Sequence, residues 1–328
     1  MARNPVAFAI VPVVLAVYLP FCTPQLRPTA NPWDAPLSSL WVNPRHVADR
    51  DLFNGPWGAA KAPDPHDTYT LVERKHSGVN PGLTVVDTNG RKWSVKQAAS
   101  DGSPGEGPIE VVLSRVLSAA GYHQPPVYYL SSFTLKDDWG SRSERGGRFR
   151  LHDKSLKDKG DWSWQQNPFV GMRPYQGLLV ILMMFNSSDL KNSNNTLYEH
   201  RNGDLIEPWY VVRDLGTALG ESGRISPARG NPDLFDRFQF VIDVRGGFVR
   251  FDYRGFHQEL VRDRITADDV GWASELMSRL SDRQWSDAFR AGGYPEAIAA
   301  RFIAKLQSNI ALGQRIGGDD WRSARERR

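Results

Sequence analysis

Asp189-Leu190-Lys191-Asn192-Ser193-Asn194 reads D-L-K-x-x-N, and Asp214-Leu215-Gly216, twenty residues after Asn194, reads D-L-G. Between them, two strand-like runs flank Asn202-Gly203, a dipeptide that favours the left-handed turn of a β-hairpin. Trp209 to Arg213 leads as a strand into Asp214. Just ahead of Asp189 stands Leu178 to Phe185, eight consecutive apolar residues, too short to span a bilayer and suited to a helix buried on all sides. A carboxylate, a lysine and an amide therefore follow a buried helix, and a second carboxylate ends a strand. Taken alone, Asn192, Asn194 and Asn195 also suit a simple turn, as Asp189 does.

Outward toward the N-terminus, Leu83 to Asp87 and Arg91 to Lys96 flank Thr88-Asn89-Gly90, a strong hairpin signal. Strand alternation puts Ser94 and Lys96 on one face and Trp93 and Val95 on the other. A helix follows, with Pro108 in its first turn, an apolar stripe through Ile109, Val112, Leu113, Val116, Leu117 and Ala120, and Gly121 as its stop. Glu110 lies in the first turn at the border of the stripe, where it can face a neighbouring element while keeping some solvent; it also complements the helix dipole there. Further strands are expected at Val127 to Leu130, Phe133 to Leu135 and Phe149 to Leu151, the last two around a charged, Gly-rich loop. An irregular stretch spans 220–234, Phe238 to Asp243 and Phe248 to Tyr253 suggest another hairpin, and about Ala267 to Ile316 is helical in pattern.

This order resembles the catalytic and magnesium loops of the protein-kinase-like fold, and Trp93-Ser94-Val95-Lys96 resembles the V-A-I-K strand of kinases. The likeness covers roughly residues 69 to 220. It implies an α+β, two-lobed fold, with a strand-rich N-lobe at 69–165 and a helix-rich C-lobe at 166–316. It implies ATP with Mg2+ or Mn2+ as nucleotide and metal, and a hydroxyl acceptor of protein, lipid or sugar type. Lys96 would reach the phosphates and pair with Glu110, with Glu106 in reserve, and Ser94 would leave room for the base. Asp189 would orient the acceptor, Lys191 would steady the transferring phosphate, and Asn194 with Asp214 would hold the metal. Ser187-Ser188 stand where typical kinases have His-Arg, Leu215 replaces Phe, and no A-P-E or G-x-G-x-x-G is present. Gly78 to Gly82 substitutes poorly for the glycine loop, and backbone amides near Asn89-Gly90 could cover the phosphates instead. These departures resemble the atypical branches: HipA-type kinases, phosphatidylinositol kinases and secretory-pathway kinases.

Charge says little about partners. Of the formal net charge of +4, Arg322 to Arg328 supplies four Arg against one Glu, so the body is nearly neutral and nucleic-acid binding is not expected. Arg3 precedes Val6 to Cys22, an uncharged and almost wholly apolar run of the length of a secretory signal or a short anchor, so an exported or membrane-anchored protein is expected, in either orientation. Cys22 is the sole cysteine, so no internal disulfide can form. The expected organisation is a signal or anchor at 1–22, a linker or loose wrap at 23–68, the two lobes, and a basic tail at 317–328, in a monomer. Two other readings stay open: a pseudokinase-like scaffold, or an exported glycan- or peptide-binding protein using exposed Trp. For the latter, Trp57, Trp93, Trp139, Trp162 and Trp164 are candidates if exposed, with Trp162 and Trp164 on one face of a presumed strand, although rings that bury so much area more often belong to a core.

Overall fold

The computed structural model describes residues 35–75, 82–98, 105–223 and 228–318. The apolar run at 1–22, the first part of the wrap, most of the 76–82 connection, residues 224–227 and all but the start of the basic tail lie outside them. Among the described residues no helix is long and apolar enough to cross a membrane.

The fold is of mixed α+β type. Five strands close into a barrel: β1 (Thr68–Lys75), β2 (Gly82–Val86), β3 (Lys92–Gln97), β4 (Val127–Asp137) and β5 (Gly140–Leu151). Their order is β1-β2-β3-β5-β4, with β1 parallel to β4 and every other pair antiparallel. The period-2 alternation of the sequence decides what the barrel encloses. Trp93, Val95, Leu83, Val85 and Phe149 point inward with Tyr69, Phe133 and Leu135. Trp93 is fully enclosed, yet its indole nitrogen donates to Asp87 Oδ2 at 3.0 Å, so no polar atom is stranded. The opposite face of β3 carries Ser94 and Lys96. The antiparallel register sets Arg150 across from Ser94 and Arg148 across from Lys96.

The charged segment between Phe133 and Phe149 is not a loop. β4 and β5 run without interruption to a tight turn at Asp138-Trp139. Here Arg142 bonds Asp137 and Glu144, both at 2.8 Å, and Arg74 reaches Asp137 at 3.0 Å. Charge pairs on the solvent faces of this arm take the place of the apolar alternation by which a sequence reveals a strand.

Below the barrel lies a helical body. Helix α1 (Gly107–Ala119) follows β3, and α2 (Arg173–Met184) is the buried helix, with Leu178 to Phe185 all enclosed. A three-stranded sheet comes from β6 (Leu156–Asp158), β7 (Asn195–Asn202) and β8 (Leu205–Val212), in the order β6-β7-β8. Gly203 turns the β7–β8 hairpin at φ +61°. Then come α3 (Pro232–Arg237), the hairpin of β9 (Val241–Arg245) and β10 (Phe248–Phe251), and three helices where the sequence shows one helical stretch: α4 (Ala267–Ser278), α5 (Asp282–Ala291) and α6 (Glu296–Gly317). Capping boxes at Thr266/Asp269 and Ser281/Gln284 start α4 and α5. Although α1 is flanked by barrel strands, its stripe of Ile109, Val112 and Val116 joins the core of the helical body.

The described part of the wrap is docked. Leu40, Val47 and Leu52 are buried, Val42 N–H donates to Gly121 O at 3.0 Å, and Gln284 Nε2 donates to Val47 O at 2.6 Å and to Arg50 O at 3.0 Å. Trp162-Ser163-Trp164 forms no strand. Its two rings meet edge-on, centroids 4.7 Å apart, and both are buried, as Trp93 is. Trp57 is half-buried, so of the five candidate Trp only Trp139, at the tip of the β4–β5 arm, is largely exposed.

Candidate active site between barrel and helical body

Lys96, on the outward face of β3, sits among three carboxylates. Its Nζ lies 2.9 Å from Glu106 Oε2, 3.2 Å from Asp214 Oδ1 and 3.4 Å from Glu110 Oε2. Both glutamates come from the start of α1, so a single helix end meets the strand. The nearer one is Glu106, the reserve candidate of the sequence. Glu110 is enclosed rather than half-solvated: 3% of it is exposed, and its Oε1 faces Arg148 Nε at 3.1 Å. Arg148 is equally buried and also donates through Nη1 to Ser94 O at 3.2 Å. Burial pushes the Glu110 carboxyl up, but Arg148 and then Lys96 outweigh it and hold the group below its ordinary value. The β3–β5 register brings Arg148 across from Lys96, a tertiary fact.

Asp214 directly follows β8 and Arg213, and adopts φ +51°, the left-handed region that a non-glycine residue seldom occupies. Burial raises its carboxyl, yet Lys96, then Arg150, Arg148 and Arg213, together hold it well below the carboxylate range. Gly216 then passes so close to the N-terminus of α1 that a Cβ there would strike the Cβ and carbonyl of Glu106. Glycine at this place lets the chain after Asp214 reach the Lys96 cluster. Gly216→Ala is expected to displace Glu106 and cost about 1–3 kcal/mol, as overpacking does. Urea unfolding checks this; an unchanged midpoint would show that the contact yields freely.

The second group of candidates lies in the loop after α2. Ser187 and Ser188 are buried. Ser188 N–H donates to Thr217 O at 3.0 Å, and its carbonyl accepts from Phe256 N–H at 3.0 Å and the Tyr253 hydroxyl at 3.1 Å. Ser188 is fully enclosed, which leaves no room for the long Arg of typical kinases. Asp189 Oδ1 pairs with Lys191 Nζ at 3.0 Å, and that ammonium stands 4.3 Å from the centroid of the Phe256 ring. Asn194 Nδ2 donates to Asp189 O at 2.7 Å, and Arg213 N–H donates to Asn194 O, also at 2.7 Å. The loop is thereby tied to the residue preceding Asp214. Asn192 and Asn195 serve structure: Asn192 Oδ1 accepts from Trp164 N–H at 2.9 Å, and Asn195 Nδ2 donates to Trp162 O at 3.1 Å. Among the described residues, two main-chain bonds, Arg213 N–H to Asn194 O and Ser188 N–H to Thr217 O, join this group to the chain on either side of Asp214, and no ion pair joins it to the Lys96 cluster.

Amides near Asn89-Gly90 are not available to cover phosphates. Thr88 N–H donates to Asp67, Asn89 and Arg91 N–H donate to Asp87 Oδ1, and Gly90 N–H donates to Asp87 O. Register adds a second reason. Lys96 pairs with Gly82, whereas that turn adjoins the Val86–Lys92 pair at the other end of the hairpin. The connection beside Lys96 is the one between β1 and β2, of which residues 76–81 lie outside the described residues.

Ser94 is buried and borders a cavity of about 490 Å³ between the barrel and the β6–β8 sheet. That volume suits a small ligand. Arg150 and Arg213 also line it. Sequence reasoning missed these two arginines, Arg148, and Arg229, which forms an ion pair with Glu106. Arg148-Phe149-Arg150 did carry a signal: two arginines alternating with a core Phe must share the face opposite that ring.

Among the described residues no group of three or more His, Cys, Asp or Glu side chains could hold a metal ion. Asp214 and the Asn194 amide could offer a donor set of another kind, one carboxylate and one carbonyl oxygen, with phosphate oxygens and water completing the shell that magnesium favours. Since Asn194 spends Nδ2 on Asp189 O, its carbonyl oxygen is the atom left for coordination.

No family model matches the chain, and no curated protein matches it either. Solved structures do. The chain is similar to the Helicobacter pylori proinflammatory kinase CtkA, with a TM-score of 0.44 and 12% identity, over 77% of this chain and 99% of that one. It is similar to the Golgi casein kinase, at a TM-score of 0.41 and 10% identity, over 80% of this chain and 75% of that one. A third likeness is to the Rio2 kinase of Chaetomium thermophilum, solved as an ADP/Mg2+–phosphoaspartate complex: TM-score 0.32, 13% identity, 75% of this chain and 71% of that one.

Proposed function

We propose that this chain is an atypical kinase-like phosphotransferase that moves the γ-phosphate of ATP to a hydroxyl acceptor, with Mg2+ or Mn2+. One observation carries the reading. A lysine from the barrel, two glutamates from the start of α1 and the aspartate after β8 converge on a single point, and the Asp189 loop is bonded to the residue before that aspartate. Phosphoryl transfer needs this convergence, because its catalysis is mostly charge neutralisation and alignment.

Lys96, oriented by Glu106 and Glu110, would bind phosphate oxygens. Asp214 and Asn194 would hold the metal, which when bound neutralises phosphate charge. Asp189 would take the proton of the acceptor hydroxyl as its oxygen bonds to the γ-phosphorus and the bond from that phosphorus to the ADP oxygen breaks. Lys191 would leave Asp189 and steady the transferring group. Export or tethering by residues 1–22 belongs to the same proposal and is supported by Arg3 ahead of the apolar run.

Asp189→Ala separates chemistry from binding. With the full chain, metal and radiolabelled ATP, the variant is expected to keep ATP binding and lose label transfer to the protein itself or to added acceptors by about a hundredfold or more. Transfer at the wild-type rate in Asp189→Ala would remove Asp189 from the mechanism. Metal-dependent binding without transfer in the wild type would instead favour the scaffold reading.

A further inference from the structure

The cavity beside Ser94 is lined in an unusual way for a site that would hold a flat, uncharged base. Four cations stand on its wall, Lys75, Arg150, Lys154 and Arg213, against two carboxylates, Asp153 and Asp158. Asp153 is already engaged: Lys61 Nζ lies 2.6 Å from its Oδ2, and its Oδ1 accepts from Ser155 N–H and Oγ. Asp158 approaches Arg213 only to 3.8 Å. Among the described residues, neither Lys75 nor Arg150 has a carboxylate within ion-pair distance, and Lys75 reaches only Ser94 Oγ, at 3.5 Å. Arg150 Nη1 and Arg213 Nε are both buried without a hydrogen-bond partner. Like charges converging on a partly enclosed space repel one another, and a buried guanidinium donor without an acceptor is costly. A polyanion would relieve both.

We propose that this cavity is an anion subsite that takes a phosphate-type group, held by Arg150, Lys75 and Arg213, in addition to the phosphates facing Lys96 and Asp214; it deepens, and rests on, the phosphotransferase reading. Arg150 lies across from Ser94 in the sheet, one pleat from Lys96, and Arg213 immediately precedes Asp214, so the subsite is continuous with the metal end of the site. The group is either the far end of the nucleotide's own phosphate chain or that of a second phosphorylated compound. Burial lowers the pKa of Lys75, with Arg150 and then Arg148 adding to the effect; burial also works against the charge on Arg150, but Glu110 and then Asp214 outweigh it.

Tripolyphosphate, without base, ribose or metal, tests the subsite by calorimetry and thermal shift on the full chain. Wild type is expected to bind it, more weakly as salt rises. Lys75→Gln and Arg150→Gln should each lose about tenfold or more in affinity, the scale of one charge-assisted hydrogen bond. Lys75 lies exposed near the end of β1, so its variant remains informative if Arg150→Gln misfolds. Asp214→Ala should retain this metal-free binding, which separates the subsite from the metal-dependent reading. Competition between ATP and tripolyphosphate identifies the nucleotide's chain as the source, and simultaneous binding identifies a second phosphorylated compound. No binding of tripolyphosphate, binding that both Gln variants leave unchanged, or stabilisation by adenosine alone would each overturn the proposal.

Discussion

Asp214→Ala is expected to abolish the metal-dependent stabilisation of this protein by ATP. At a ligand concentration a hundred times its dissociation constant, binding adds about 2.7 kcal/mol to the folded state, a plainly visible rise in melting temperature. Asp214 is the single carboxylate of the proposed metal site, and the Asn194 carbonyl alone is a weak substitute. The empty fold should survive the change, because Lys96 keeps Glu106 and Glu110 as partners at 2.9 Å and 3.4 Å. The measurement is a thermal shift with ATP, with Mg2+ or Mn2+ present and absent, in wild type and variant. A metal-dependent rise of equal size in both proteins would place the metal elsewhere. No rise in either would end the nucleotide reading and direct attention to Trp139 and the surface around it.

Glu110→Ala should be the most destabilising change at the site, by about 3–5 kcal/mol, because it leaves a buried charge without its partner. Arg148 is 2% exposed and has Glu110 as its ion-pair partner among the described residues. Removing the carboxylate leaves the guanidinium with little more than Ser94 O. Replacing both, Glu110→Leu with Arg148→Met, should recover much of the loss, since an apolar pair needs no desolvation. The pH dependence carries the same signature. Glu110 and Asp214 are both held below their unfolded values, so the stability they add is complete above about pH 4, the ordinary carboxylate range. It is lost as pH falls through the depressed folded values. Wild type should therefore lose stability more steeply than Glu110→Gln below that pH. Urea unfolding between pH 7 and pH 3 reads both effects, and a Glu110→Ala cost under about 1 kcal/mol would mean that Arg148 finds water or another acceptor.

Much of the candidate site was legible because its residues lie beside strong local signals. Lys96 ends a hairpin strand whose alternation is unambiguous, and Asp189 follows a run of apolar residues that can only be buried. Asp214 stands just past a strand that leaves an Asn-Gly turn. Where the reading erred, the local signal was shared by two outcomes. Asn89-Gly90 marks a turn whether or not its amides are free, and here Asp67 and Asp87 consume them. The charged segment around Arg142 looks like a loop because its strands are joined by cross-strand charge pairs, Arg142 and Arg74 with Asp137, rather than by a buried face. The strand presumed for Trp162-Ser163-Trp164 is absent, while both indoles are buried, as rings that cover so much area favour.

The sequence by itself determined the β2–β3 hairpin, the two buried helices that flank the site, the face on which Lys96 stands, and the loops that carry Asp189 and Asp214, since each depends on spacing within a few residues. Only the tertiary structure decided which glutamate lies nearest Lys96, that Glu110 is sealed against Arg148, and that Arg150 and Arg213 crowd the cavity beside Ser94. Those facts depend on the β3–β5 register and on the approach of Gly216 to α1. Such contacts join residues dozens of positions apart, and their energies come from burial and charge that a strand acquires only when its neighbour is in place.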